Sequence, residues 1–333
     1  MNILVTGGAG YIGSHTCIAL LDAGHNVIVV DNLCNSRAEV LDRIEEISGK
    51  QLDFYRIDVT DEAEVESVVA AHDIDGVIHF AGLKAVGESV KKPLEYYYNN
   101  TVSTMVLAKK CLEYGINKFV FSSSATVYGE AKVPMVESMP LLPPTNPYGA
   151  TKAISEKILT DCAESNPDWS VTLLRYFNPV GAHESGLIGE DPKGIPNNLM
   201  PFMTRVARGE LNKLLVFGSD YPTTDGTGIR DYIHICDLAE GHVAAFEKLS
   251  TGVYIYNLGT GRGTSVLELL AAFKKANGIE IPYVIAPRRP GDIAETYADV
   301  SKAERMLGWK AKRDLIAMCK DAWRFENSKE DLK

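Results

Sequence analysis

The chain opens Met1-Asn2-Ile3-Leu4-Val5-Thr6-Gly7-Gly8-Ala9-Gly10-Tyr11-Ile12-Gly13, and the reading of this stretch decides the fold. Residues 2–6 read as a strand, the glycines as a tight turn and 12–23 as a helix. A dinucleotide's pyrophosphate needs backbone that can approach closely and the free N–H groups of a helix N-terminus, and glycines permit both. Two registers fit, Gly8-x-Gly10-x-x-Gly13 and Gly7-x-x-Gly10-x-x-Gly13, and either alone also describes a bare strand-to-helix turn. Position adds weight. Asp31 ends a second strand, 31 − 13 = 18 residues past Gly13, where a carboxylate accepts hydrogen bonds from the adenosine ribose. The same charge repels the 2′-phosphate of NADP, so NAD is the expected cofactor. Asp58 and Val59, after a third strand, are candidates for the adenine edge, with a helix cap as the alternative for Asp58.

Outward from this turn, short β-branched runs alternate with longer amphipathic stretches. Strands are expected at 2–6, 27–30, 54–57, 77–80, 119–121 and 171–174, and helices at 12–23, 37–47, 62–71, 94–114 and 148–165. Six strands with crossover helices imply an α/β, Rossmann-like, doubly wound parallel sheet. After Asn178 glycine and proline punctuate the chain and the alternation stops. Strands at 214–217, 232–235 and 254–258, with helices at 199–208, 238–248, 266–276 and 315–325, suggest a smaller mixed α/β substrate domain. The expected division is 1–178 and 179–333, with a segment near 231–260 returning to the first unit. The charged residues 327–333 are expected to fray.

With 333 residues, the chain has the length of two domains or one large α/β unit. Lys+Arg of 34 against Asp+Glu of 44 leaves −10, which argues against nucleic acid or an anionic membrane as the main partner. The first 21 residues lack Asp, Glu, Lys and Arg, but their glycines and polar residues suit neither a signal peptide nor a membrane span. A cytoplasmic location is expected. Cys17, Cys34, Cys111, Cys162, Cys236 and Cys319 are widely spaced, which points to free, buried thiols with no disulfide framework and no metal site.

Asn146-Pro147-Tyr148-Gly149-Ala150-Thr151-Lys152 starts a helix with a capping residue and proline, and puts Tyr148 and Lys152 on one face. An ammonium nearby and a cationic nicotinamide both favour the phenolate, which can then take a hydroxyl proton. A lone Tyr-x-x-x-Lys is ordinary helix decoration; here Ser124, at the carboxyl end of the fifth strand, supplies a hydroxyl where doubly wound sheets place their ligands. Without Tyr148, Ser124 would read as a turn former.

Together these residues resemble the extended short-chain dehydrogenase/reductase family, and within it the UDP-hexose 4-epimerases. The resemblance spans nearly the whole chain. It is carried by residues 5–15, Asp31-Asn32-Leu33, residues 79–89, the Ser124 and Tyr148 segments, residues 175–182 and residues 225–234. The second, third and last of these segments separate epimerases from other dinucleotide binders.

The resemblance implies NAD contacts from Gly7, Gly10, Tyr11, Ile12, Gly13, Asp31, Asn32, Asn35, Ser36, Asp58, Val59, Phe80, Ala81, Gly82, Lys84, Asn99, Lys152 and Phe177. It implies UDP-sugar contacts from Ser124, Tyr148, Asn178, Asn198, Leu199, Val216, Phe217, Arg230, Arg289 and Asp292. For the two arginines a forked grip on a diphosphate competes with surface ion pairing. The implied reaction is reversible C4 epimerisation of UDP-glucose and UDP-galactose. Tyr148 takes the 4-hydroxyl proton, hydride passes to NAD, and the 4-keto hexose turns over while UDP stays fixed. No metal is implied, NAD stays bound between turnovers, and helices 94–114 and 148–165 pair across a two-fold axis into a homodimer.

Four residues past Asp292 stands Thr296, where the family's members restricted to plain hexoses carry a bulky tyrosine. A small residue there implies room for UDP-N-acetylglucosamine and UDP-N-acetylgalactosamine, whereas a one-residue slip would put Tyr297 at the gate. Pro290 is a milder departure expected to stiffen its loop. Competing readings are a nucleotide-sugar dehydratase or decarboxylase, disfavoured by Ala125-Thr126 where dehydratases carry Asp-Glu, and a catalytically dead NAD-binding protein, which would be expected to lose Tyr148 or Lys152.

Overall fold

The computed structural model describes residues 1–194, 196–289 and 291–329. Pro290 and the charged tail from 330 onward lie outside the described residues. In the first half, β1 (Asn2–Thr6), α1 (Tyr11–Asp22), β2 (Asn26–Val30), α2 (Glu39–Ser48), β3 (Asp53–Tyr55), α3 (Glu62–Ala71) and β4 (Gly76–His79) alternate. Then come α4 (Val86–Lys91), α5 (Pro93–Glu113), β5 (Lys118–Ser122), a 3₁₀ turn (Ala125–Tyr128), α6 (Pro147–Ser165) and β6 (Ser170–Tyr176). The second half adds β7 (Asn178–Val180), α7 (Leu199–Ala207), β8 (Leu214–Phe217), β9 (Ile229–Arg230), β10 (Tyr232–His234), α8 (Ile235–Glu247) and β11 (Gly252–Leu258). It closes with β12 (Thr264–Ser265), α9 (Val266–Asn277), β13 (Tyr283–Ala286), β14 (Glu295–Thr296), α10 (Ser301–Leu307) and α11 (Leu315–Ser328).

The main sheet has seven parallel strands in the order β11-β6-β5-β4-β1-β2-β3. Its central strands are buried on both faces because helices cover both. On one face Cys17, Leu20, Ile44, Leu238 and Phe246 pack against it, and on the other Val65, Val68, Leu107 and Leu159. The chain order reverses between β1 and β4, so the crevice between their carboxyl ends is the ligand side. The seventh strand, β11, pairs with β6 along its whole length, so the late segment that carries it is part of this sheet.

The expected strands over 54–57 and 77–80 end earlier than their sequence suggests, because the chain turns out toward the crevice at Ile57 and Phe80. Helix α11 extends through Asn327 and Ser328, whose fraying was expected; the Ser328 hydroxyl donates to the Gly186 carbonyl at 2.7 Å. Not every thiol is buried: Cys34 is exposed, and Cys162 and Cys236 are half-buried, all six being free.

The second unit packs α7, α9 and α11 around Met200, Met203, Leu269, Phe273 and Met318. Three small sheets, β7 with β10, β12-β9-β14, and β8 with β13, bring distant segments to the crevice. Ser265 caps α9 in a full capping box with Glu268.

Candidate active site

The glycine turn is built to admit a phosphate. A Cβ on Gly13 would lie 2.2 Å from the Gly7 carbonyl oxygen, and Gly7 adopts φ +69 with its back against Ala81. Helix α1 begins at Gly10 with no side-chain cap and no acidic residue in its first turn, so its N–H groups and positive dipole end are left for an anion. Tyr11, on that turn, donates to the Gly181 carbonyl at 2.7 Å and ties the second unit to it. These features fit the pyrophosphate of a dinucleotide.

Asp31 is nearly buried, and its carboxylate accepts from Ala9 N at 3.1 Å, Leu33 N at 2.8 Å and Ser36 Oγ at 2.8 Å. Asp58 accepts from Asn32 at 3.0 Å and from Thr60 N and Oγ1 at 2.9 and 2.7 Å. Burial pushes the Asp58 carboxyl up, but those hydrogen bonds outweigh it and hold it below its usual range. It is not a helix cap; Asp61 caps α3.

One pocket runs from Asp31 and Asp58 past the glycine turn and Lys84 to Tyr148 and Lys152. Gly7, Gly10, Tyr11, Ile12, Gly13, Asn32, Asn35, Ser36, Val59, Phe80, Ala81, Gly82 and Asn99 also line it. Phe177 does not: its ring is buried with Ala125, Tyr128, Met135 and Ala298 behind the wall. The sequence reading missed Ser103, Ser122 and Tyr176, whose hydroxyl lies 2.9 Å from Ser122 Oγ, and the buried Asn100, which holds Leu83 through both its amide groups. It also missed the strap over residues 186–194, of which Ile188 to Pro192 form one pocket wall. Glycines at φ +75 and +77, Gly186 and Gly194, bound the strap. Lys193 donates to the Leu33 and Cys34 carbonyls at 3.1 and 3.0 Å, and Arg37 lies 3.4 Å from Asp191. Glu190 accepts from Lys84 at 3.2 Å and from Asn198 at 2.6 Å. A glycine- and proline-rich stretch past the expected domain boundary gave no periodic signal that could have found it.

At the pocket floor, Asn146 caps α6 through Gly149 N at 2.9 Å, with Pro147 opening the helix. Lys152 is buried and donates to the Ser122 carbonyl at 2.7 Å, its ammonium 6.0 Å from the Tyr148 ring centre. Burial lowers its pKa to about 8, against the raising effect of Glu156. Burial, reinforced by Tyr176, drives the Tyr148 phenol well above 10 although the Ser124 hydroxyl pulls it back. Without a cationic ring beside it, burial favours the neutral phenol; the nicotinamide charge invoked for the phenolate is the further contribution that would oppose it. The Ser124 hydroxyl also accepts from Thr126 N at 3.2 Å and so caps the 3₁₀ turn.

The structure brings Arg230, Arg289 and Asp292 together. Arg230 donates to Asp292 at 2.7 Å, Arg289 donates to the same carboxylate at 3.0 Å, and the Arg289 guanidinium stacks 4.8 Å from the Phe217 ring centre. Asn178 N donates to the carbonyl of Asp231, next to Arg230. Leu199 opens α7, whereas the Val216 side chain is buried in the second core. Thr296 pairs with Arg230 across β14 and β9. Ala298, two residues on and so on the same face, packs with Ala125 and Tyr128 beside Ser124, whereas the Tyr297 ring borders Gly263. Among the described residues no group of three or more His, Cys, Asp or Glu could hold a metal ion, and no helix is long and apolar enough to cross a membrane.

A glycine cradle at the switch point of a doubly wound sheet, with Tyr148, Lys152 and Ser124 at its floor, defines a nucleotide-cofactor enzyme that moves a proton and a hydride at one carbon. The family model for the NAD-dependent epimerase/dehydratase family matches residues 3–259. A UDP-glucose 4-epimerase of Bacillus subtilis (strain 168) is 60% identical over 98% of this chain and 97% of its own. The crystal structure of UDP-glucose 4-epimerase from Bifidobacterium longum in complex with NAD+ and UDP superposes with a TM-score of 0.97 at 55% identity, covering 99% of each chain. The UDP-Glc/GlcNAc 4-epimerase from Campylobacter jejuni does so with 0.85 at 38% identity, covering 98% of this chain and 99% of that one. The chain belongs to the NAD-dependent epimerase/dehydratase family.

Proposed function

We propose that this protein is an NAD-dependent UDP-hexose 4-epimerase that interconverts UDP-glucose and UDP-galactose. The observation that carries this reading is that Tyr148 and Lys152 line the same pocket as the Gly7 to Gly13 turn. NAD, held by that turn, Asp31, Lys84 and Lys152, supplies a reversible hydride acceptor for C4 of the sugar. Tyr148 takes the 4-hydroxyl proton as C4 is oxidised and returns one when it is reduced, with Ser124 within its hydrogen-bonding reach. A positive charge beside it, from Lys152 and the nicotinamide ring, opposes the effect of burial and favours the phenolate that accepts this proton. Arg230 and Arg289 hold the diphosphate, and the hexose, lightly held, turns over to present its other face. Incubating the purified protein with UDP-galactose and no added cofactor tests this. UDP-glucose should form to equilibrium; no conversion, or conversion that consumes NADH stoichiometrically, overturns it.

The placement of Thr296 on the face of Ala298, with Tyr297 turned toward Gly263, favours Thr296 as the sugar gate and extends the substrate range to N-acetylated hexoses. The chain works as a homodimer in the cytoplasm. An uncovered stripe of Leu94, Tyr98 and Met105 on α5 and Ile154 on α6, with Leu94 83% and Tyr98 62% exposed, supports a two-fold helix bundle.

A further inference from the structure

Behind the pocket floor lies a buried ion pair that the reaction does not itself use. Glu156, one helical turn past Lys152 on α6, accepts from Arg175 Nε at 2.9 Å and Nη2 at 2.6 Å, and both side chains are at most 5% exposed. Its Oε1 also accepts from the Ser123 hydroxyl at 2.5 Å. The strand end leading to Ser124 is thus held twice by one face of α6, at the Ser122 carbonyl by Lys152 and at the Ser123 hydroxyl by Glu156. Arg175 in turn lies 4.8 Å from the Tyr128 ring centre, just after Ser124, and the Tyr128 hydroxyl donates to Asn257 at 2.7 Å. Asn257 reaches the Met135 carbonyl at 2.8 Å, and Met135 pairs with Tyr297 and Asp299 next to the sugar gate.

A buried ion pair is a poor way to gain stability, since desolvating two charges offsets most of their attraction and apolar residues of similar size often do as well. Its retention here calls for something that apolar packing cannot supply. We infer that Glu156, oriented by Arg175, is a positioning residue that fixes Ser124 relative to Tyr148. The groups facing Lys152 are Glu156, Tyr148, His79, the Ser122 carbonyl and the Phe121 ring. Those facing the pair are Ser123 and Tyr128, with Glu137 beyond. Glu156 is the one carboxylate among the groups facing Lys152, and its charge works against the desolvation that lowers the ammonium. Removing it lets Lys152 lose its proton at lower pH.

The inference rests on the reading of Tyr148 and Lys152 as the reacting pair, and Lys152→Ala is run alongside to separate the two. Glu156→Gln is expected to lower kcat about 10²-fold, the scale of a small misplacement of reacting groups, with KM for UDP-galactose and NAD per chain unchanged. The alkaline limb of its kcat profile should move down by about one pH unit. Ser123→Ala should lose about fivefold in kcat at an unchanged melting temperature. The double variant Glu156→Leu/Arg175→Met should fold as well as the parent and remain as slow as Glu156→Gln, because a merely structural pair is replaceable and a positioning one is not. Wild-type kcat in the double variant or in Ser123→Ala, or an unmoved limb in folded Glu156→Gln, overturns the inference. If Glu156→Gln does not fold, Ser123→Ala and the double variant decide. Full activity in Lys152→Ala would instead overturn the reading beneath it.

Discussion

The two halves of the crevice are made differently. The dinucleotide half is shaped by backbone, with strand ends, a glycine turn and a helix N-terminus whose open form exists before any ligand arrives. The diphosphate half consists of side-chain tips, two guanidinium groups already engaged with Asp292. The first is rigid because displacing it means breaking the main sheet. The second is held by a carboxylate with which a phosphate bound there would have to compete, as would suit a ligand that enters and leaves at every turnover.

Breaking the backbone half should be costly. Gly13→Ala would drive a methyl group into the Gly7 carbonyl, and the variant is expected to purify without NAD, measured as absorbance released on denaturation. Tyr148→Phe keeps both halves and loses the base; turnover should fall by at least about 10² while UDP binds normally by calorimetry. In the side-chain half, Arg230→Ala should raise KM for UDP-galactose about 10- to 100-fold with NAD content intact, the scale of charge-assisted hydrogen bonds to a phosphate. Arg289→Ala, whose side chain is 54% exposed, should cost less. Thr296→Tyr should lower turnover of UDP-N-acetylglucosamine about tenfold and that of UDP-galactose by less than twofold.

The smallest effect is set by pH. Lys152 is charged below about 8 and loses its proton as pH rises through that value, so turnover should decline on the alkaline side of 8 in a kcat profile. A flat profile to pH 9 would show that its charge is not needed.

The backbone half was also the legible half. Gly7 to Gly13, Asp31 and the β-branched runs are local signals, each confined to a strand and its turn, and the pocket assembles them as the pattern implies. Strands β7, β9, β12 and β14 span two or three residues each and exist only because distant segments pair, which no window of sequence displays. Phe177 shows a related limit: one residue past β6, its side chain turns to the inner cluster while Asn178 stays exposed, a choice the sequence does not display. For Tyr148, spacing shows the nearness of an ammonium but not the burial that opposes ionisation, which only the packed structure displays.

The strap over residues 186–194 has a consequence for how the coenzyme is acquired. Lys193 and Arg37 fasten the second unit across the rim of the cradle, and a dinucleotide passing on that side would have to part those fastenings. A coenzyme retained behind them would serve one turnover after another, and sugar interconversion would then be insulated from swings in the free NADH pool.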